Sequence, residues 1–171
     1  MSAKRRPVVG VIGSGGSIAP EVESAARQLG YLIRAAGYDL ACGGLGGVME
    51  AACRGAAESE GPGRIIAILP GASKQAANVY ADLVLPTGLG IARNALVVLA
   101  SDALVAVGGG SGTLSEIAMA WQLERPICVI TDLPGVAAGL AGRALDDRHP
   151  GTILGAPTPT AALQLFRGQF T

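Results

Sequence analysis

The chain has 171 residues, half of them apolar, and carries 13 basic and 13 acidic side chains. That length suits one domain with a sizeable core, 1–171 as a single unit. Balanced charge removes the electrostatic motive for binding DNA, RNA or an anionic membrane, so none of these is an expected partner.

Cys42, Cys53 and Cys128 form no CxxC pair, and His149 is the only histidine. The thiols read as reduced side chains of a cytoplasmic protein, and no metal site of ordinary ligand spacing is visible. Lys4, Arg5 and Arg6 read as a solvated tail, with no cleavage pattern after them. Pro86, Arg93, Asn94 and Asp102 interrupt the apolar stretches, so no membrane span is expected.

Pro7–Ile12 (PVVGVI) reads as a buried strand, and Ala19–Ala36 as a helix with Val22, Ala25, Ala26, Leu29 and Ile33 on one stripe. Gly37 ends that helix. Asp39–Cys42 is a short strand, Val48–Glu58 a helix and Arg64–Leu69 a third strand. Ala72–Ala81 is polar and irregular, a lid or a partly ordered connection. Leu83–Leu85 is a brief strand and Gly90–Ser101 a helix. Ala103–Val107 is a strand whose following helix runs to about Leu123. Pro126–Ile130 is the next strand, Leu133–Arg143 a weak helix, Thr152–Leu154 an edge strand and Pro159–Arg167 a terminal helix. Strand and helix patterns alternate throughout, which predicts an α/β fold: a three-layer Rossmann-like sandwich on a mainly parallel sheet.

Turns rich in glycine or proline fall at four predicted strand ends: 13–16, 43–47, 70–71 and 108–112. In such sheets ligands bind beyond the carboxyl ends of the strands. A strand running through glycines into a helix also leaves amides that suit a phosphate. The candidate ligand-binding residues are therefore Gly13, Ser14 and Gly15 in the first turn and Gly43, Gly44, Gly46 and Gly47 in the second. Gly109, Gly110, Ser111, Gly112 and Thr113 complete the set. Ile18 stands where a dinucleotide fingerprint needs its third glycine, and Cys42 and Gly43 stand where it needs an acid. Ordinary NAD binding is disfavoured. So is a P-loop, because no glycine turn runs into Lys-Ser or Lys-Thr.

Glu116 is either a carboxylate favoured by the start of its helix or an ionised group facing the crevice. In both readings the helix end is expected to hold its pKa down. Arg93 is either a surface residue or a ligand for phosphate or carboxylate. Trp121 reads as core or interface, and His149 as a solvated loop residue.

Gly108–Glu116 (GGGSGTLSE) resembles the PGGxGTxxE signature of the Lonely Guy (LOG) proteins, once described as lysine decarboxylases. Gly43–Ala52 resembles the family's second glycine turn, and the likeness extends from about Val8 to Ile130. GLGIARN and VGGGSGTLSEIA are most similar to the branch of molybdenum cofactor carrier proteins. The resemblance implies one of two functions. One is a binding protein for a small phosphorylated heterocycle, molybdenum cofactor or a nucleotide. The other is a phosphoribohydrolase that cleaves nucleoside 5′-monophosphates to free base and ribose 5-phosphate, with Arg93 and Glu116 catalytic and no cofactor required. Gly108 in place of proline and Asn94 in place of lysine lean toward the carrier branch. Lysine decarboxylation has no support, because Lys74 is the only lysine beyond the N-terminal run and no pyridoxal site is evident. Ala-rich helices at 93–101 and 113–123 are candidates for packing in a homo-oligomer, a dimer or tetramer.

Overall fold

A computed structural model of the chain describes residues 5–170. The strands are β1 (Val8–Gly13), β2 (Asp39–Cys42), β3 (Ile65–Leu69), β4 (Leu83–Pro86), β5 (Ala103–Val107), β6 (Ile127–Ile130) and β7 (Leu154–Ala156). The helices are α1 (Pro20–Ala35), α2 (Val48–Ala57), α3 (Asn94–Ala100), α4 (Ser111–Gln122) and α5 (Pro159–Gln164). All seven strands lie parallel in one sheet of order β4-β3-β2-β1-β5-β6-β7.

The central strands are apolar without alternation because helices cover both faces. Every residue of β5, ALVAV, is buried. Helices α1, α2 and α5 cover one face over Val9, Val11, Leu29, Ile33, Leu40, Ala52 and Phe166. Helices α3 and α4 cover the other over Ile12, Ile68, Val97, Leu104, Ile117, Trp121 and Val129. In α1, Val22, Ala26, Leu29 and Ile33 form the buried stripe, and each large aliphatic there contributes about 1.5–3 kcal/mol. The expected sandwich is present. No described helix is long and apolar enough to cross a membrane.

The sheet order reverses at β1, which pairs with β2 on one side and β5 on the other. Gly13 sits opposite Val107 in register. The turns that follow β1 and β5 therefore leave the same edge side by side, which is where an open α/β sheet forms its crevice.

Four segments differ from the sequence expectation. Leu133–Arg143 is not a weak helix and holds only a 3-10 turn at Ala138–Leu140. Its amides are used elsewhere: Val136 N–H donates to the Gly109 carbonyl at 3.1 Å and Ala137 N–H to the Gly108 carbonyl at 3.3 Å. The edge strand is Leu154–Ala156 rather than Thr152–Leu154, because Ile153 N–H is held by the Arg143 carbonyl and pairing with β6 starts at Leu154. Gly90–Ser101 divides into a 3-10 turn, Gly90–Arg93, and then α3. The terminal helix stops at Gln164, where the Phe166 amide turns to Leu163.

The connection at 72–81 contains a 3-10 turn, Lys74–Ala76, and Asn78 Nδ2 donates to the Gly44 carbonyl at 3.2 Å. The basic N-terminal run is not wholly free: Arg5 makes two hydrogen bonds to Asp102, each 2.8 Å. Lys4 lies outside the described residues.

Candidate functional site

The site is built on turns rather than on regular structure. After β5 the chain passes through Gly108 and Gly109 with φ of 62° and 92°, a region in which side chains are strained. Gly110 then caps α4 without a side-chain hydrogen bond. The Leu114 amide closes on the Gly110 carbonyl at 2.9 Å, so the amides of Ser111, Gly112 and Thr113 precede the first helical bond. They stand at the positive end of the helix.

A cavity of about 410 Å³ lies against this helix start, within the usual range for a small-molecule site. Gly13, Ser14, Gly15, Gly43, Gly110, Ser111, Gly112 and Thr113 line it, together with Arg93 and Glu116. Turns 13–16, 43–47 and 108–112 thus meet at one place, and Pro70 from the fourth turn joins them. Gly44, Gly46, Gly47 and Gly109 are not in the lining. Gly44 faces Ala67 and Leu69 of β3, and Gly47 faces the Ser14 and Gly16 carbonyls. Gly109 packs on the Thr113 side chain. These four shape the turns.

Arg93 closes the 3-10 turn before α3 and is only 8% exposed. Its guanidinium lies over Gly43, where a Cβ would collide with Nη1 and with the Met49 sulfur. Glycine at 43 is what lets the cation reach the cavity floor. Among the described residues Arg93 Nε has no hydrogen-bond partner. Burial pushes the proton affinity of the guanidinium down, and the Glu116 charge partly restores it.

Glu116 is 6% exposed. It sits in the second turn of α4, not the first, and α4 has no acidic residue in its first turn. Burial raises its pKa to about 7, against the lowering effect of Arg93. The expectation of a depressed pKa is therefore wrong. The helix dipole fades within the first turn, whereas desolvation acts on the whole buried carboxyl. Among the described residues, no ion pair joins Arg93 to Glu116, and no side-chain hydrogen bond holds Glu116. A buried cation and a buried carboxyl thus face one cavity, each without a protein partner.

Asn94, buried beside Arg93, donates from Nδ2 to Ser115 Oγ at 3.1 Å. Ser115 Oγ donates in turn to the Gly112 carbonyl at 2.6 Å. This chain fastens the start of α3 to the first turn of α4. Leu45, Met49 and Ile91 add apolar lining. They were not among the residues expected at the site; the signal available was that Leu45 lies within a glycine turn, Ile91 directly after Gly90, and Met49 two residues after Gly47. Behind the floor, Cys42 and Cys53 touch through sulfur at 3.4 Å. The hydrogen bond between the two thiols lowers the Cys42 pKa and, with burial, raises that of Cys53.

Trp121 is buried, and its Nε1 donates to Asp146 at 2.7 Å. His149 is not freely solvated: its ring stacks on Trp121 at 3.9 Å between centroids. Neither residue lines the cavity.

The sequence model of the SLOG cluster4 family matches residues 6–158. A protein from Archaeoglobus fulgidus, described only as uncharacterized, is 49% identical over 112 residues, or 66% of this chain and 72% of its own length. Solved structures similar over nearly the whole chain include molybdenum cofactor proteins from two organisms. The molybdenum cofactor binding protein of Rippkaea orientalis is 34% identical, with a TM-score of 0.86 over 99% of this chain and 100% of that one. The molybdenum cofactor carrier protein of Chlamydomonas reinhardtii is 32% identical, with a TM-score of 0.82 over 97% and 98%.

Proposed function

This chain belongs to the SLOG cluster4 family, and from that premise we propose that its cavity binds a small phosphorylated heterocycle, molybdenum cofactor or a nucleotide, as cargo. One observation carries the reading: an unpartnered buried guanidinium, Arg93, shares a cavity with the open amides of Ser111–Thr113. A phosphate fits that combination, because amides and guanidinium both donate and neither can be satisfied by the protein as it stands. Apolar lining from Leu45, Met49 and Ile91 suits the flat ring of the ligand. Micromolar affinity requires about 8 kcal/mol, which a few charge-assisted hydrogen bonds and ring burial supply. The similarity to molybdenum cofactor binding and carrier proteins supports the same reading.

The test is mass spectrometry of small molecules that co-purify with the protein, with a thermal-shift panel of nucleotides and pterins. A bound phosphorylated heterocycle, or a raised melting temperature, supports the reading. Absence of both refutes it.

A second reading, a nucleoside 5′-monophosphate phosphoribohydrolase, is favoured by Glu116. A carboxyl with a pKa of about 7 is poised to give or take a proton near neutral pH. Held neutral by burial, this carboxyl has a proton to give, which an ionised Glu116 would lack. In this reading Glu116 protonates the leaving base or guides water, and Arg93 holds the phosphate. Base release by the wild type, lost in Glu116→Ala, supports it; no release from any nucleotide refutes it.

The homo-oligomer is also a proposal. Leu83 and Leu85 lie in register with Ile66 and Ile68, on the face covered by α3. They are exposed, as are Leu89, Ile91 and Leu99 nearby in sequence. An apolar surface of this kind suits a second copy of the chain.

A further inference from the structure

We propose that this cavity takes up an anion together with a proton, and that Glu116 is the group that receives it. The inference rests on the anion-binding reading above and adds how that site is regulated.

The geometry sets the problem. An anion placed on the Ser111–Thr113 amides and Arg93 enters the cavity that Glu116 also lines. Glu116 is buried on α4, and no described residue makes an ion pair or side-chain hydrogen bond with it. An ionised carboxylate there repels the incoming anion, and burial of Glu116 leaves that repulsion less screened than at an exposed surface. A neutral carboxyl does not, and its O–H becomes a hydrogen-bond donor toward the ligand. The bound state therefore favours the protonated form whatever the identity of the anion.

Two other groups carry charge that Glu116 feels. Arg93 stabilises its ionised form, and Cys42, at the end of β2, interacts with both. The remaining polar side chains around the cavity are Ser14, Asn94, Ser111 and Thr113, which do not titrate in the neutral range. Burial already brings Glu116 up to about 7 before any ligand arrives, so a bound anion pushes it higher.

Linkage gives the sign. The complex holds more protons than the free protein, so affinity falls as pH rises through the free-state pKa. With that value near 7, an anion of constant charge binds about tenfold more weakly at pH 8 than at pH 6. A cargo protein built this way loads on the acid side of neutrality and releases on the alkaline side.

Sulfate is the probe, because its own charge does not change between pH 6 and pH 8. Its dissociation constant is measured by equilibrium dialysis at both values. Proton uptake by the wild type is measured calorimetrically in two buffers of different ionisation enthalpy. The expected result is about tenfold weakening at pH 8, uptake approaching one proton per sulfate there, and no pH dependence in Glu116→Gln. Cys42→Ser keeps the wild-type pH profile. Sulfate binding with equal affinity at both pH values and no proton uptake overturns the proposal and leaves the anion-site reading standing. Persistence of the full pH dependence in Glu116→Gln, or its loss in Cys42→Ser, also overturns it. Absence of sulfate binding at both pH values removes the anion site and the proposal together. The wild-type proton count decides the matter even if Glu116→Gln fails to fold.

Discussion

Replacing Glu116 by glutamine should make the protein more stable, and the gain should depend on pH. The carboxyl has an ordinary pKa of 4.5 when unfolded and about 7 when folded. A folded-state value above the unfolded one means that the native protein binds the extra proton between those two limits. Stability conferred by the neutral carboxyl is therefore complete below pH 4.5, declines as pH rises, and is lost above pH 7. At 1.36 kcal/mol per pH unit the loss is about 3 kcal/mol. Glutamine is close in shape and never ionises, so it escapes that loss. The advantage of Glu116→Gln at pH 8 should exceed its advantage at pH 4.5 by about 3 kcal/mol, or roughly 6–12 °C in melting temperature for a domain of this size. Urea unfolding at the two pH values, without ligand, measures it. The subtraction cancels effects of the substitution that do not depend on pH. An advantage equal at both pH values, or larger at pH 4.5, would refute the argument that burial governs this carboxyl.

Arg93→Met should weaken sulfate or nucleotide binding by a hundredfold or more, since each lost charge-assisted hydrogen bond is worth about 1.5–3 kcal/mol. At pH 6 the same change should cost no stability, because it removes a buried cation with an unpartnered Nε; dialysis and urea melts together check both halves. Gly43→Ala drives a Cβ into the Arg93 guanidinium and the Met49 sulfur, so it should weaken anion binding at least tenfold with little change in Tm, because the obstructed atoms are side-chain ends that can shift. Ser115→Ala removes the link from Asn94 to the Gly112 carbonyl and should cost about 1–2 kcal/mol of stability in a denaturant melt. Leu99→Asp, on the exposed face of α3, should convert an oligomer to a monomer in light scattering; a monomeric wild type would refute the proposed interface.

The sheet was legible because a parallel sheet covered on both faces must be written as uninterrupted apolar runs, and VVGVI, RIIAIL and ALVAV are such runs. The crevice was legible for a related reason. Each strand had to hand the chain to a helix, and the glycines at 13, 43, 108 and 109 marked where a side chain is obstructed or strained at that edge. Leu133–Arg143 was misread because its composition reports only local preference. The Val136 and Ala137 amides are claimed by Gly109 and Gly108, partners more than twenty residues earlier that no window on the segment contains. Gly109 explains the exchange from the other side: a turn held in a left-handed conformation is fixed by bonds to its carbonyls, and 133–143 gives up helix formation to supply them.

The misreading of Glu116 has the same origin at the level of charge. Spacing placed a carboxylate near a helix start, and the dipole rule then fixed the sign of its shift. What reversed the sign is burial, and burial of Glu116 is a property of the assembled cavity. Gly43 admits the Arg93 guanidinium, and Asn94 pins the start of α3 to Ser115 of the neighbouring helix. The resulting walls desolvate Glu116 without giving it a partner. No single segment contains that outcome, because Gly43, Arg93 and Glu116 come from three separate crossovers of the sheet. The chemistry of the site belongs to the place where those crossovers meet, and an anion entering there meets a cation that lacks an acceptor and a carboxyl that must be neutral to admit it.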